Sequence, residues 1–537
     1  MTKRAVALFA TMLVLFVGVL GKIYGASSKQ FAKVQQAQAT RTVTLAVARG
    51  TLYDRTGQRL TNASRQWKAC AVAEPATMAM LQRYLTQEQW QAAQSRWEQG
   101  YPAVLDIAQP LPSAAGLVQF SVPIRYEYPI AAQHMLGYIG ADGKGETGIE
   151  QALDEVLREA GGVLQLRYRV DGAGRVLAGV SPEVTNTLGN ADAGVMLTLD
   201  AALQRRLEQL CLPMLPKGAV VVTEPETGDI LAAVSCPSYR ADELASLLNA
   251  PDAPLVNRLL RNYNVGSVFK VVSVAAALEA GAQVGQTFVC NGSVPVGSRV
   301  IRCHHRLGHG MLDMQGGFLH SCNPYFIQLM QTVEPHKFAY MAHALGFGAA
   351  VLLADGLKTA RAVLPSDEQW QLPSVTADLS FGQGSLLATP LHIAQLMSAV
   401  VCDGQMIRPR LVRGAVDAQG EATLYASAAP QPVFSADTAR TLRQMMIATV
   451  QGGTGQSGMP SLGGAGGKTG TAQTGWQGDN GEPMVQSWFA GFYPAENPQF
   501  AVVVLSEDAG STGQSAAPVF AAVCDELAKL GAAAATQ

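Results

Sequence analysis

Residues 5–21 form an uninterrupted apolar run, with Lys3 and Arg4 before it and Lys22 after it. Ile23, Tyr24 and Gly25 extend the run, so 5–25 reaches the length of a membrane-crossing helix. The polar stretch 26–40 reads as a stalk or a helical continuation. Residues 42–47 then alternate as a strand does. Asp54-Arg55-Thr56-Gly57 carries the residues of a hairpin turn. Helical periodicity covers 76–99, which includes Trp90 and Trp97, and strand-like pieces follow near 117–124. An amphipathic helix over 149–159 ends at Gly161-Gly162, and 163–170 reads as a strand. The turn-rich stretch 186–194 marks a domain boundary.

Beyond that boundary, 195–200 reads as a strand and a helix runs on through Leu210. A hairpin covers 217–236, turning at Glu226-Thr227-Gly228-Asp229. Gly266 gives a turn, and an apolar helix runs from Ser267 to Ala280-Gly281. Further helices are expected over 312–320, 325–333 and 390–401, the last starting at Thr389-Pro390. A glycine-rich segment, 464–473, precedes two apolar strands at 488–493 and 500–506. A final helix over 516–530 leads into an Ala-rich tail expected to be disordered. The pattern predicts an α+β protein whose larger part is an antiparallel sheet with helices on it. The expected division is 1–4 as tail, 5–25 as transmembrane anchor and 26–40 as stalk. An N-terminal α+β domain follows over 41–190, a second domain over 191–532 and a disordered end over 533–537.

Charge narrows the function. Lys and Arg number 39 against 41 Asp and Glu, so nothing favours nucleic acid as a partner. The short basic tail places the N-terminus in the cytoplasm and all that follows the apolar run outside it, in a single-pass membrane protein. A cleaved signal peptide is the alternative, but Gly25-Ala26-Ser27 offers no clean A-x-A site. Eight cysteines are too few for a disulfide scaffold of this length. Cys290 and Cys303 are the best-spaced pair for a disulfide, against separate buried thiols. Cys303-His304-His305 with His309 raises zinc, but the spacing matches no standard structural site, so no metal and no cofactor are expected.

Three short motifs carry candidate chemistry. Ser267 and Lys270 share one face of a helix. A desolvated Lys270 loses its proton and becomes a base, and Ser267 beside it becomes a nucleophile. Alone, a serine at a helix start reads as a cap. Ser321-x-Asn323 follows, and by itself Ser321-Cys322-Asn323-Pro324 is turn chemistry. Lys468-Thr469-Gly470 is the third. A phosphate loop ending there would need glycine where Leu462 stands, and would open a helix where strands follow. Taken together and in order, the three motifs resemble the set in penicillin-binding proteins and serine β-lactamases.

The resemblance extends over nearly the whole chain and is to class B penicillin-binding proteins, monofunctional peptidoglycan D,D-transpeptidases on a membrane anchor. Arg49-Gly50 with Asp54-Arg55 and Gly57 resembles one signature of that family's N-terminal pedestal, and Gly145 with Glu150 bounds another. Thr198-Leu199-Asp200 with Gln204, Thr227-Gly228, Phe381-Gly382-Gln383-Gly384, Thr389-Pro390 and Trp488-Phe489-Ala490-Gly491 resemble signatures of the transpeptidase domain. The implied fold is a penicillin-recognising domain of sheet and helices on an elongated pedestal. Ser267, Lys270, Ser321, Asn323 and Lys468 are the implied catalytic set. Thr469, Gly470 and Thr471 would bind substrate, with the backbone N–H groups of Ser267 and Thr471 as oxyanion hole. Val265 stands where the family often has proline, which would loosen the turn that aims Ser267. Peptidoglycan stem peptides and β-lactams are the implied ligands, and a SEDS-family glycosyltransferase the implied partner. The alternatives are a D,D-carboxypeptidase or β-lactamase with water as acceptor, and a non-catalytic scaffold or β-lactam sensor.

Overall fold

The computed structural model describes residues 2–477, 483–507, 509 and 515–535. The chain forms two compact units, and they interleave along the sequence. One comprises 1–50, 61–127 and 158–193; the other comprises 51–60, 128–157 and 194–537. The expected single cut near residue 190 therefore does not describe the packing, because two earlier segments join the larger unit.

In the smaller unit, helix Thr2–Gln38 is continuous through the expected stalk. Its first part, Thr2–Gly25, is long and apolar enough to cross a membrane. The side chains of Val6, Leu8, Phe9 and Phe16 are all exposed on it. The helical region expected over 76–99 is two helices, Pro75–Tyr84 and Gln87–Glu98. The break is at Thr86, whose hydroxyl and Gln89 form a reciprocal capping box that starts the second helix. Both pack on an antiparallel sheet of Ala103–Ile107, Ser64–Ala71 and Leu117–Ile124. Trp97 anchors this layer, its indole N–H donating to the Ala71 carbonyl at 2.9 Å.

The larger unit is built on a five-stranded antiparallel sheet in the order Ile230–Cys236, Gly218–Thr223, Phe500–Ser506, Pro483–Tyr493, Gly466–Gln477. Gly218–Thr223 and Ile230–Cys236 are buried at every position. Such strands read as apolar runs rather than alternations because helices cover both faces of the sheet. Leu203, Leu207 and Cys211 of helix Ala201–Met214 join Phe520 and Val523 of helix Ala516–Ala535 in the core against Val220, Val222 and Val502. That last helix runs on to Ala535 through the start of the expected disordered tail, whose residues 536–537 lie outside the described residues.

The early segments are tied into this unit by specific bonds. Strand Thr51–Tyr53 pairs in parallel with Gly194–Leu197. The Arg55 N–H donates to the Leu199 carbonyl at 2.8 Å. Asp54 closes its own turn by accepting from the Thr56 and Gln58 N–H groups, while its second oxygen accepts from the Ala201 N–H at 3.2 Å. Farther along, the Ala132 N–H donates to Glu208, and the Asn257 amide donates to the His134 carbonyl.

Candidate active site

Ser267 lies in a 3-10 turn, Gly266–Phe269, that feeds helix Lys270–Glu279. The expected helix is therefore one turn tighter at its start. Residues i and i+3 eclipse in a 3-10 turn, which brings Lys270 Nζ to 3.1 Å from Ser267 Oγ. Ser267 is half-buried, while Lys270 has no exposed surface.

The turn is held by backbone approaches that only glycines permit. Gly266 sits at φ +62°, and a Cβ on it would stand 2.6 Å from the Thr471 carbonyl oxygen and 3.2 Å from the Thr471 nitrogen. Its N–H donates to the Gly382 carbonyl at 3.0 Å. Gly382, at φ +81°, has room for no side chain, because a Cβ would stand 1.8 Å from the Gly266 carbonyl oxygen. The Phe381-Gly382-Gln383-Gly384 motif thus has a physical role, since it backs the turn that aims Ser267. Gly382→Ala is expected to shift that turn and lower the acylation rate by about 10²-fold, since misplacement of order 1 Å costs about that much. Time-resolved penicillin labelling beside a melting curve checks it. Val265 does not loosen the turn: it is fully buried with φ −82°, close to proline's own value.

Ser321 follows helix Met314–Leu319 and precedes helix Asn323–Gln331. Its φ of +50° is rare for a residue other than glycine, a conformation that persists where the surroundings over-determine it. Here they do. Lys270 Nζ lies 2.7 Å from the Ser321 carbonyl, 3.1 Å from Ser321 Oγ and 2.7 Å from Asn323 Oδ1. From the far side, Lys468 Nζ donates to Ser321 Oγ at 3.0 Å. The two amines therefore flank one hydroxyl. Phe326 and Phe318 lie under them, 5.3 Å from Lys270 Nζ and 5.6 Å from Lys468 Nζ.

Burial pushes the Lys270 amine well below the ordinary lysine range, and the neighbouring Lys468 cation pushes it further. Burial alone brings Lys468 down to about 7. The shift favours the neutral form of Lys270. A neutral amine has two N–H donors, and the Ser321 carbonyl and Asn323 Oδ1 are placed to accept both. The lone pair is then left for the Ser267 hydroxyl.

Lys468, Thr469, Gly470 and Thr471 lie on Gly466–Gln477, the edge strand of the sheet. Lys468 points inward and Thr471 is exposed. Gly470 lets the serine turn pack on the strand: a Cβ there would stand 2.9 Å from the Val265 carbonyl oxygen. All the residues expected at the site thus converge. Thr454 had no sequence signal beyond its place in Gly452-Gly453-Thr454-Gly455. It is exposed, and its hydroxyl meets that of Thr469 at 3.1 Å.

Of the two readings for Cys290 and Cys303, a disulfide or separate buried thiols, the structure has the thiols. All eight cysteines are free thiols. Cys290 and Cys303 belong instead to a group with His309 and Cys322, whose donor atoms all lie within 4.8 Å of one another. The expectation of no metal rested on spacing along one segment. The fourth donor, Cys322, comes from a different element and could not be counted that way.

A half-buried serine beside a buried lysine and an open sheet edge is the arrangement that a serine acyltransferase of the penicillin-recognising fold requires. The penicillin binding protein transpeptidase domain family matches residues 218–525. The peptidoglycan D,D-transpeptidase PbpA of Mycolicibacterium smegmatis is 31% identical over 73% of this chain and 80% of its own length. The peptidoglycan D,D-transpeptidase MrdA of Haemophilus influenzae is 28% identical over 72% of this chain and 63% of its own. Among solved structures, the penicillin-binding protein PBP2 in complex with MreC from Helicobacter pylori superimposes with a TM-score of 0.69, at 21% identity, over 92% of this chain and 99% of that one. The chain belongs to the class B penicillin-binding proteins and is a monofunctional peptidoglycan D,D-transpeptidase.

Proposed function

We propose that Ser267 attacks the penultimate D-Ala carbonyl of a stem peptide, with neutral Lys270 as general base. The placement of Lys270 Nζ, 3.1 Å from both Ser267 Oγ and Ser321 Oγ, carries this reading. The Ser267 proton passes to Lys270 as the Oγ–C bond forms. The oxyanion is held by the N–H groups of Ser267 and Thr471. Ser321, between the two lysines, returns a proton to the departing D-Ala amine as the C–N bond breaks. An amine of a second stem peptide then attacks the acyl-enzyme, releases Ser267 and forms the crosslink. Lys468 and Thr469 hold the terminal carboxylate, Asn323 holds a substrate amide, and the substrate backbone pairs along the edge strand beside Gly470. A β-lactam acylates Ser267 by the same steps. Fluorescent penicillin followed by peptide mapping tests the assignment: the label belongs on the peptide containing Ser267, and a label elsewhere refutes it.

The same reading sets the pH profile. Attack needs Lys270 neutral, so the second-order acylation constant rises as pH climbs through its depressed pKa. Carboxylate binding needs Lys468 charged, so the constant falls as pH passes about 7. The expected profile is a bell whose limbs belong to the coupled pair. A rate that climbs steadily to pH 10 would refute the requirement for a charged Lys468.

The apolar helix Thr2–Gly25 would anchor the enzyme with Lys3 and Arg4 in the cytoplasm and the catalytic unit outside. A SEDS-family glycosyltransferase that supplies the glycan strands is the partner this family membership favours. Replacing 2–25 with an unrelated membrane helix is expected to leave penicillin labelling intact and to weaken co-purification with that partner.

A further inference from the structure

A cavity of about 410 Å³ lies beside the serine turn, within the larger unit. Asn262, Tyr263 and Asn264, the residues that lead into the turn, line it. So do Thr474 and Gln486, from the paired strands Gly466–Gln477 and Pro483–Tyr493. Arg258, Arg261 and Glu507 supply its charge. The volume is that of a small-ligand site. Its wall is fixed to the catalytic serine by short bonds. Gln486 Oε1 accepts from the Asn264 N–H at 2.8 Å, and the Trp488 indole N–H donates to the Asn264 carbonyl at 2.8 Å. The sheet thereby holds both backbone groups of Asn264, which stands in the short segment leading to Ser267.

The charges in the cavity are not all paired. Arg258 is 2% exposed and fully engaged: its guanidinium donates to Glu507, to the Ala253 carbonyl at 3.2 Å and to the Asp252 carbonyl at 2.9 Å. It serves to hold Glu507, whose own N–H donates to the Lys217 carbonyl at 2.9 Å. Arg258 engages one Glu507 oxygen, Oε2, and the side chain stays 27% exposed. Arg261 is exposed and makes no ion pair among the described residues. Asn262 Oδ1 is buried in the wall with no hydrogen-bond partner among the described residues. The cavity therefore offers an open guanidinium and an open carboxylate. A ligand with an ammonium alone gains nothing from Arg261, and one with a carboxylate alone meets repulsion from Glu507. A group that carries both charges makes charge-assisted bonds to both.

The edge strand sets what arrives there. With the terminal carboxylate at Lys468 and Thr469 and the penultimate carbonyl at the Thr471 N–H, each earlier residue of the stem lies about 3.3 Å farther along the strand. The third residue of the stem falls beyond Thr471, at the level of Gln473 and Thr474, where the cavity begins. We propose that this cavity is the subsite for the side chain of the donor stem's third residue. It selects a side chain that ends in a free α-amino acid head, one ammonium and one carboxylate, over a side chain that ends in a lone amine. Arg261 takes the carboxylate and Glu507 takes the ammonium. No bond is made or broken in the cavity. The assignment rests on the proposed attack by Ser267 and on the carboxylate site at Lys468 and Thr469.

The test uses the full chain in detergent and two penicillins of equal side-chain length, one ending in the amino acid head and the other in a primary amine. The second-order acylation constant is expected to be about 10- to 100-fold higher for the first, as added hydrogen bonds between charged groups would give. Arg261→Gln should bring the ratio of the two constants close to one, and Arg261→Glu should turn it towards the amine. A purely structural role for Arg261 would slow both compounds alike and keep the ratio, which overturns the proposal. Equal constants in the unmodified chain, or a preference for the amine, overturn it as well, and this ratio decides the matter should a variant fail to fold. Peptide mapping separates the two assignments. Equal constants with both compounds on Ser267 refute the subsite alone, whereas a label away from Ser267 refutes the catalytic assignment and the subsite with it.

Discussion

Ser267→Ala is expected to abolish covalent labelling by fluorescent penicillin while the chain stays folded. Loss of a catalytic serine removes about 10⁶-fold of rate in a comparable acyl-transfer unit, which puts labelling below detection. The structural cost is small. Ser267 is half-buried and its hydroxyl accepts from Lys270 Nζ at 3.1 Å, and a hydrogen bond of this kind is worth about 1 kcal/mol. A melting curve close to that of the unmodified protein, with no labelled band, is the predicted pair of results. Labelling that survives in the variant would move the nucleophile to another residue.

Lys270→Met is expected to have the next largest effect. General-base catalysis contributes about 10²–10⁴-fold, and acylation should fall by that range with the acid limb of the pH profile lost. Methionine fills most of the lysine volume in a fully buried position. It strands the Ser321 carbonyl and Asn323 Oδ1, each 2.7 Å from the amine it replaces, so some loss of stability is expected as well. Lys270→Arg separates charge from basicity. A guanidinium keeps the cation and cannot give up its proton, so this variant should be as slow as Lys270→Met. Activity retained in Lys270→Arg would show that a cation, rather than a neutral base, serves Ser267.

Much of the site was readable in the sequence because its parts are short-range. Ser267 and Lys270 are one turn apart, Ser321 and Asn323 share one bend, and Lys468 to Thr471 lie on one strand. What joins them is long-range and was not readable. The 3.0 Å bond from Lys468 to Ser321 closes 147 residues of chain, and only the fold supplies it. Gly382 stood in a motif with no evident purpose, and its purpose emerges only when its missing Cβ is set against the Gly266 carbonyl. Helical periodicity continues on both sides of Thr86, so only its reciprocal cap with Gln89 marks the break there. Spacing along the chain sets Cys290 beside Cys303, but only the fold brings Cys322 and His309 into the same space.

The parallel pairing of Thr51–Tyr53 with Gly194–Leu197 has a consequence for inheritance. A catalytic unit that borrows a strand and a helix cap from upstream cannot be exchanged by recombination at one boundary. A crossover at residue 191 would part Gly194–Leu197 from its parallel neighbour, Thr51–Tyr53, and leave the Ala201 N–H without Asp54. Chimeras between relatives are therefore expected to fold when 51–60 and 128–157 travel with the C-terminal part, and to aggregate when they do not. The two halves of this enzyme are bound to a shared ancestry by the path of the chain.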